Sequence, residues 1–543
     1  MSALIIGGHF SIDRVDSLRH RDDFRLTVDA VPMSVPNLID YFRNGRTFPD
    51  DDVHRRLVDS QRRPYRQLYW SGLHLYDLLL RNGFEAALLN CHDLTDDGRL
   101  DYYRKQPAVV IISTTFMNME AARKVAADVR QHLPDAWIVV GGSYARYSYL
   151  IHTRQSDPLY ADRSVRENYF FTSDHPVTEI DCYVVDQHGE NTLLSLLVAV
   201  VREGRRPVDI ANTVVSEPNG WRINELRPET YDIEAQRLQW RQIPRRALSS
   251  VVPFQNTYGC PFKCGFCNFS LVKVHKKSID TLFDELRELA KHNVVQKVWF
   301  TDDNFFLNEK LVTAFCERYI EEDLPFSWMS FIRASSITPE TAKLIKRSRC
   351  DLLIMGFESG SQTVLDSMQK NDTVAHYRQA ASELILNGVD LEMSFIIGYP
   401  GETGRTVDET IEFINSLPYN PEQISYLYLF LFNIVPLSPI FEKSQREQWN
   451  LEGSWANWRH NSMTSDEAFA HLRRIAASTP QMVFNYLDPH GALERKDMVE
   501  LMHRRDDVAR ARISHGEASP VTSEAWDRLE SLVRRLFPGS FVQ

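Results

Sequence analysis

The chain has 543 residues, too many for one hydrophobic core; domains of about 100 to 200 residues would divide it into two or three. Its composition, 43% hydrophobic and 25% charged, excludes a disordered or fibrous architecture. A formal net charge of −11 argues against a surface built for nucleic acid or anionic membrane, which are bound through accumulated Lys and Arg. No apolar run approaches the ~18 residues of a spanning helix, and MSALIIGGHF lacks the cationic start of a leader, so a cytoplasmic protein is expected.

Short apolar runs alternate with helical periods from the start: ALIIGG at 3–8, GLHLYDLLLRNGF at 72–84, EAALLNC at 85–91, VVIISTT at 109–115, MEAARKVAADVRQHL at 119–133 and WIVVGGS at 137–143. This rhythm is that of β-α-β units building a parallel sheet, and strands ending in Gly, Ser or Thr mark the edge where such sheets bind ligands. An Arg-, Asp- and Pro-rich insertion spans 10–70, with Arg43, Arg46, Arg55, Arg56, Arg62, Arg63 and Arg66; it is a candidate capping segment or a solvated charged face. After an irregular stretch from 144 to 180, DCYVVDQHGENTLLSLLVAVV restores strand, loop and helix. A first domain over 1–205 and a linker over 206–245 are expected.

A second α/β series follows. The strands QKVWFTD, FSWMSFIR, CDLLIMGFESG, LEMSFIIGYPGE and ISYLYLFLF alternate with helical stretches such as TLFDELRELAKH, TPETAKLIKRS and TVDETIEFINSL. The rhythm suits a (β/α)6 partial TIM barrel over 246–445, with chemistry at the carboxyl ends of its strands. From 446 to 543 the pattern turns helical and polar, as for a small lid domain. Trp449, Trp455 and Trp458 could pack that lid or line a substrate pocket.

Four of the seven cysteines, Cys91, Cys182, Cys316 and Cys350, stand singly in apolar surroundings and read as small buried hydrophobes. The other three crowd into CPFKCGFC as Cys260, Cys264 and Cys267. Three soft thiolates from one loop favour an iron–sulfur cluster or zinc. Structural zinc would want a fourth ligand at comparable spacing, for which His275 is the nearby candidate. Three ligands to a four-iron cluster instead leave one iron open.

Tyr258-GCPFKCGFC, with Phe266 immediately before the last Cys, resembles the signature of the radical S-adenosylmethionine enzymes. FTDDNFF from 300, GFESGS from 356 and SFIIGYPGET from 394 follow in order and resemble segments of the class B members, which carry an additional cobalamin domain. Over most of 1–205, GLHLYDLLLRNGFEAALLN, PAVVIISTT, IVVGGSYAR and DQHGENTL are similar to that Rossmann-like cobalamin domain. The resemblance implies a [4Fe-4S] cluster on the three cysteines whose open iron chelates S-adenosylmethionine and whose reduced form cleaves it to a 5′-deoxyadenosyl radical. It further implies Asp302 and Asp303 near the methionyl end, Glu358 and Ser359 near the ribose, and Ser394, Gly398 and the backbone of Phe266 near the adenine. Asp302, Asp303 and Asn304 could equally cap the next helix, and Gly398, Pro400 and Gly401 could be turn residues. For cobalamin it implies Ser113, Thr114, Thr115, Gly141, Gly142 and Ser143 against the corrin, and Gly189 and Glu190 facing the nucleotide tail. Asp186-Gln-His188-Gly189 departs from the D-x-H-x-x-G pattern, so His188 is not expected on cobalt, and cobalamin with its dimethylbenzimidazole off is implied.

The function so implied is cobalamin-dependent radical methylation of an unactivated or aromatic carbon of a small molecule or peptide in natural-product biosynthesis, with an external flavodoxin- or ferredoxin-type electron donor. One S-adenosylmethionine would supply the methyl group and a second the radical. Alternatives are a polar, radical-free methylation of an aromatic substrate such as tryptophan, a non-methylating ring contraction or cyclisation, and a cobalamin or redox sensor. A methylthiotransferase would need three clustered cysteines in the first domain, where only Cys91 and Cys182 occur. The residues that act on the substrate are not legible.

Overall fold

The computed structural model describes residues 1–10, 24, 26–29, 31–48, 68–93, 96–115, 117–174, 177–218, 220–306, 308–484 and 493–541. Arg55, Arg56, Arg62, Arg63 and Arg66 lie outside the described residues. The chain divides into two units, one of Met1–Asp13, Arg62–Gly259 and Val272–Thr301, the other of Arg14–Gln61, Cys260–Leu271 and Asp302–Gln543.

In the first unit the apolar runs become strands β1 (Ala3–Ile6), β2 (Ala86–Leu89), β3 (Val109–Ser113), β4 (Trp137–Gly141) and β5 (Cys182–Val184), parallel and in the order β2-β1-β3-β4-β5. Helices α1 (Trp70–Arg81), α2 (Met119–His132), α3 (Ser143–His152) and α4 (Glu190–Leu197) alternate with them. Successive strand residues point to opposite faces, and the core divides accordingly. Leu4, Ile6, Val110, Ile112, Ile138 and Val140 pack with Ala122, Val125 and Val129 of α2. Ala3, Ile5, Val109, Ile111, Trp137 and Val139 pack with Leu79 of α1 and Leu193, Leu196 and Leu197 of α4. A sheet covered on both faces explains why β3 is apolar throughout rather than alternating.

Strand order reverses between β1 and β3, and in such sheets ligands bind beyond the carboxyl ends of the strands at that point. Residues 206–245, expected as a linker, supply two more strands, β6 (Thr213–Glu217) antiparallel to β5 and β7 (Gly220–Ile223) antiparallel to β6. The segment that read as a linker is a hairpin whose inner strand buries Thr213, Val214 and Val215 while only Trp221 of its outer strand packs on the core. A parallel pair, β8 (Val251–Phe254) and β9 (Lys297–Phe300), with α5 (Ile279–Leu289) between them in sequence, also belongs to this unit.

The second unit contains the parallel strands β10 (Ser327–Ile332), β11 (Cys350–Glu358), β12 (Asp390–Ile397) and β13 (Ser425–Leu431), paired in chain order. Their helices are α6 (Glu309–Glu321), α7 (Pro339–Arg347), α8 (Val374–Leu386) and α9 (Gly404–Asn415), each begun by an Asn or Thr side chain that accepts a first-turn amide. Strand and helix thus alternate from β8 to β13 as the sequence rhythm required. The tail forms α10 (Ser465–Ser478), α11 (Arg495–His515) and α12 (Pro520–Leu536), but is not solely helical. Glu452–Ser454, Asn457–His460 and Met463–Thr464 make a small antiparallel sheet. The insertion contributes a helix, Val35–Arg43, whose Tyr41 and Phe42 rings lie 5.4 and 6.0 Å from Trp526 of α12. Arg46 reaches Asp527 at 2.6 Å and Glu530 at 2.9 Å, and Arg43 donates to the Ser540 carbonyl.

Candidate active site

Within the second unit, Cys260, Cys264 and Cys267 are all free thiols on one loop, with Cys264 buried. The loop is clamped from both sides: the Gly265 amide donates to the Met368 carbonyl at 2.7 Å, and the Gly265 carbonyl accepts from the Ile440 amide at 2.9 Å. A Cβ on Gly265 would lie 2.2 Å from the Tyr399 hydroxyl, so only glycine fits between Cys264 and Phe266. Burial pushes the Cys267 thiol up to about 12 and raises Cys260, with Asp303 acting in the same direction on both and Arg333 opposing it at Cys260. Thiols this reluctant to ionise become thiolates when bound to a positive centre, the chemistry of iron ligands. Among the described residues no three His, Cys, Asp or Glu side chains converge as on a single metal ion. Ligands to separate corners of a cluster need not converge, so the donor set fits a [4Fe-4S] group.

The carboxylate expected at the ribose stands at the end of β11. The register between β11 and β12 shifts between Gly356 and Glu358, and Glu358 has φ +61°, in the left-handed region costly for a residue with a side chain. The bulge redirects Glu358, whose carboxylate accepts from Lys370 Nζ at 2.6 Å, both side chains being 9% exposed. Lys370 Nζ is also 5.8 Å from the centre of the Phe266 ring. The turn from Met368 to Lys370 therefore holds the cysteine loop through its backbone and Glu358 through a side chain. Lys370 was not legible as a site residue, because its partner is fixed by the bulge. Neither was Tyr377, whose buried hydroxyl has no hydrogen-bond partner among the described residues and which feels the charges of Glu358, Asp372, Arg333 and Cys264.

The remaining expected residues divide. Asp302 is buried and Asp303 exposed near the thiols; α6 is capped by Asn308, so Asp302, Asp303 and Asn304 are not its N-cap. Ser394 is half-buried on β12 beside Gly356. Ser359 is fully buried, its hydroxyl accepting from the Ser361 amide at 3.1 Å. Gly398 has φ +90°, and a Cβ there would meet the Trp458 ring at 2.4 Å. Its lack of a side chain makes room for Trp458, which is 3% exposed and donates to the Phe432 carbonyl at 2.7 Å. Trp458 thus packs the tail; Trp449 abuts Gly401.

In the first unit, the ends of β3 and β4 meet at small residues. Gly142 has φ +97°, and a Cβ there would crowd the Thr114 and Thr115 amides at 3.2 and 3.3 Å. Ser113 is buried and bonds Ser71 at 2.9 Å; Thr114 is buried and donates to the Gly141 carbonyl at 2.7 Å. Thr115 and Gly142 are exposed, with Gly141 and Ser143 half-buried, and α3 begins at Ser143, its Ala145 amide donating to the Thr114 hydroxyl at 3.3 Å. The start of α4 differs. Gly189 packs on Val184, where a Cβ would come within 2.3 Å. Glu229 accepts from the Asn191 and Thr192 amides at 2.8 and 2.7 Å, so the helix turn that follows Gly189 and Glu190, the residues expected to face a nucleotide tail, already holds a carboxylate. Glu190 pairs with His74 at 3.1 Å. His188 stacks on Tyr231 with ring centres 3.8 Å apart, and burial lowers its pKa to about 4, keeping it neutral.

The family model of the Radical SAM superfamily matches residues 256–414. An uncharacterized methyltransferase of Pyrococcus horikoshii is 27% identical over 69% of this chain and 78% of its own. The anaerobic magnesium-protoporphyrin IX monomethyl ester cyclase of Rubrivivax gelatinosus is 26% identical over 48% of each chain. The solved structure of the radical S-adenosylmethionine methyltransferase TsrM from Kitasatospora setae, with cobalamin and a [4Fe-4S] cluster bound, superposes over 99% of this chain and all of that one, with a TM-score of 0.57 at 14% identity. At that identity the likeness is one of fold, and it extends through all three expected regions. The resemblance carried by the cysteine loop and the barrel motifs is borne out.

Proposed function

We propose that this chain, whose residues 256–414 match the radical SAM superfamily model, is a cobalamin-dependent methyltransferase acting on an unactivated or aromatic carbon of a small molecule or peptide. The observation that carries the reading is the constellation in the second unit. Three thiols on one clamped loop and the strained Glu358 carboxylate are tied to the same turn, through Met368 and Lys370. A [4Fe-4S] cluster with an open iron, S-adenosylmethionine and cobalamin would supply electron transfer, an adenosyl radical and methyl carriage. The chain's own residues bind and orient. Cys260, Cys264 and Cys267 hold the cluster, and Glu358 and Ser394 are the groups left to receive the nucleoside. Thr115, Gly141, Gly142 and Ser143 offer bare backbone and a hydroxyl to a flat corrin.

Natural-product biosynthesis, a cytoplasmic setting and a low-potential flavodoxin- or ferredoxin-type donor belong to the same proposal. Its support on localisation is limited to the observation that no helix among the described residues is long and apolar enough to cross a membrane. Cyclisation without methyl transfer is the second reading, favoured by the similarity to the Rubrivivax cyclase. Anaerobic reconstitution with iron, sulfide and cobalamin, followed by turnover of candidate substrates with methyl-labelled S-adenosylmethionine, separates the readings. Label in the product supports methylation; product without label supports cyclisation. 5′-Deoxyadenosine equal to methylated product marks the radical route, and its absence the polar one. Cobalamin binding with no consumption of S-adenosylmethionine overturns both and leaves a sensor.

A further inference from the structure

Arg333 follows the last residue of β10, and its side chain is only 12% exposed. Three contacts fix it. The guanidinium carbon lies 3.7 Å from the centre of the Phe262 ring, a separation reached only with the cation against the ring face. Nη2 donates to the Lys370 carbonyl at 2.6 Å, and the Asp372 carboxylate, shared with His376 at 3.1 Å, is 3.8 Å away. Phe262 is the middle residue between Cys260 and Cys264. The segment joining the first two thiols is therefore covered by a planar, permanently charged group anchored to the turn that also holds Glu358.

We propose that Arg333 is a positioning residue for the iron–sulfur loop: stacked on Phe262 and tied to the 370 carbonyl, it braces the Cys260–Cys264 segment and sets a permanent cation beside the reducible group. The inference rests on the cluster reading above. Each electron added to a cluster held by thiolates adds negative charge, and a cation in a partly desolvated site favours that reduced form. Arginine joins both roles because its planar face stacks while its charge cannot be titrated away; lysine would keep the charge without the stack.

The test uses the full-length chain reconstituted anaerobically, as wild type, Arg333→Ala, Arg333→Lys and Phe262→Leu. Two quantities are read: the rate at which a chelator removes iron, and the cluster midpoint potential from a redox titration followed by electron paramagnetic resonance. Arg333→Ala is expected to release iron several-fold faster and to shift the potential to more negative values. Arg333→Lys is expected to restore the potential but not the retention, and Phe262→Leu to lose retention with the potential near that of wild type. A potential unchanged in Arg333→Ala, or not restored in Arg333→Lys, overturns the electrostatic role. Unchanged iron release in both Arg333→Ala and Phe262→Leu overturns the brace. Wild-type chain that takes up no cluster defeats the functional proposal instead, so the two failures are distinct.

Discussion

Gly265 and Tyr399 show how one residue can decide whether the cysteine loop closes. Tyr399 is 1% exposed and cannot swing away, so the methyl group of Gly265→Ala must displace backbone at the cost of about 1–3 kcal/mol. Iron uptake on reconstitution should fall with it. Adding Tyr399→Phe removes the oxygen at 2.2 Å and leaves the ring carbon at 3.3 Å as the nearest neighbour, so the double variant should recover much of both stability and iron. Additive losses in the double variant would refute the clash. Glu402 offers a test by pH. It is fully buried, accepts from the Gly398 amide, and burial lifts its pKa to about 8 from 4.5. Between those values the folded chain keeps a proton that the unfolded chain releases, so stability falls as pH rises from about 4.5 to 8, by at most about 1.4 kcal/mol per unit, and levels off above. Glu402→Gln keeps an acceptor for Gly398 but cannot titrate. Thermal melts should show the wild type losing ground to this variant between pH 5 and 8; parallel curves would show that Glu402 ionises as freely folded as unfolded.

At the scale of elements, the two helices that open at the carboxyl edge of the amino-terminal sheet are unlike. α3 has one first-turn amide, that of Ala145, on the Thr114 hydroxyl at 3.3 Å, whereas α4 takes a carboxylate from Glu229, 37 residues beyond Thr192 in sequence. Glu229→Ala leaves two amides and the Thr192 hydroxyl without their acceptor and should cost about 0.5–2 kcal/mol in chemical denaturation, with Glu229→Gln costing less. Equal stabilities would mean that water replaces the carboxylate. Such a cap marks where sequence reading stops. The strands of the first sheet were legible because β1, β3 and β4 are apolar along their length, and α2 because Ala122, Val125, Ala126 and Val129 recur at helical spacing. The cysteine loop was legible from its spacing. The hairpin β6–β7 was not, since its outer strand is exposed apart from Trp221. Glu229 and Arg333 were not, because their partners lie 37 residues or more along the chain, nor was Lys370, whose partner is aimed by the bulge at Glu358. Gly398 and Ser359 stood in the right motifs, yet tertiary packing uses the first to admit Trp458 and the second to build the turn after β11.

On the proposed function, each unit would supply a different group of residues. The second gathers the thiols, Glu358 and the turn that joins them; the first sets small residues at the reversal of a parallel sheet. The substrate is where legibility ends, since Trp458, a candidate for its pocket, is spent on packing. Transfer of a methyl group through cobalamin is the central claim, and it can be tested without knowing the substrate. Protein reconstituted with iron and sulfide, loaded with cobalamin, reduced under argon and mixed with S-adenosylmethionine should form S-adenosylhomocysteine in an amount equal to the bound cobalamin, and none when cobalamin is omitted. S-adenosylhomocysteine that fails to appear, or that appears equally without cobalamin, would contradict it.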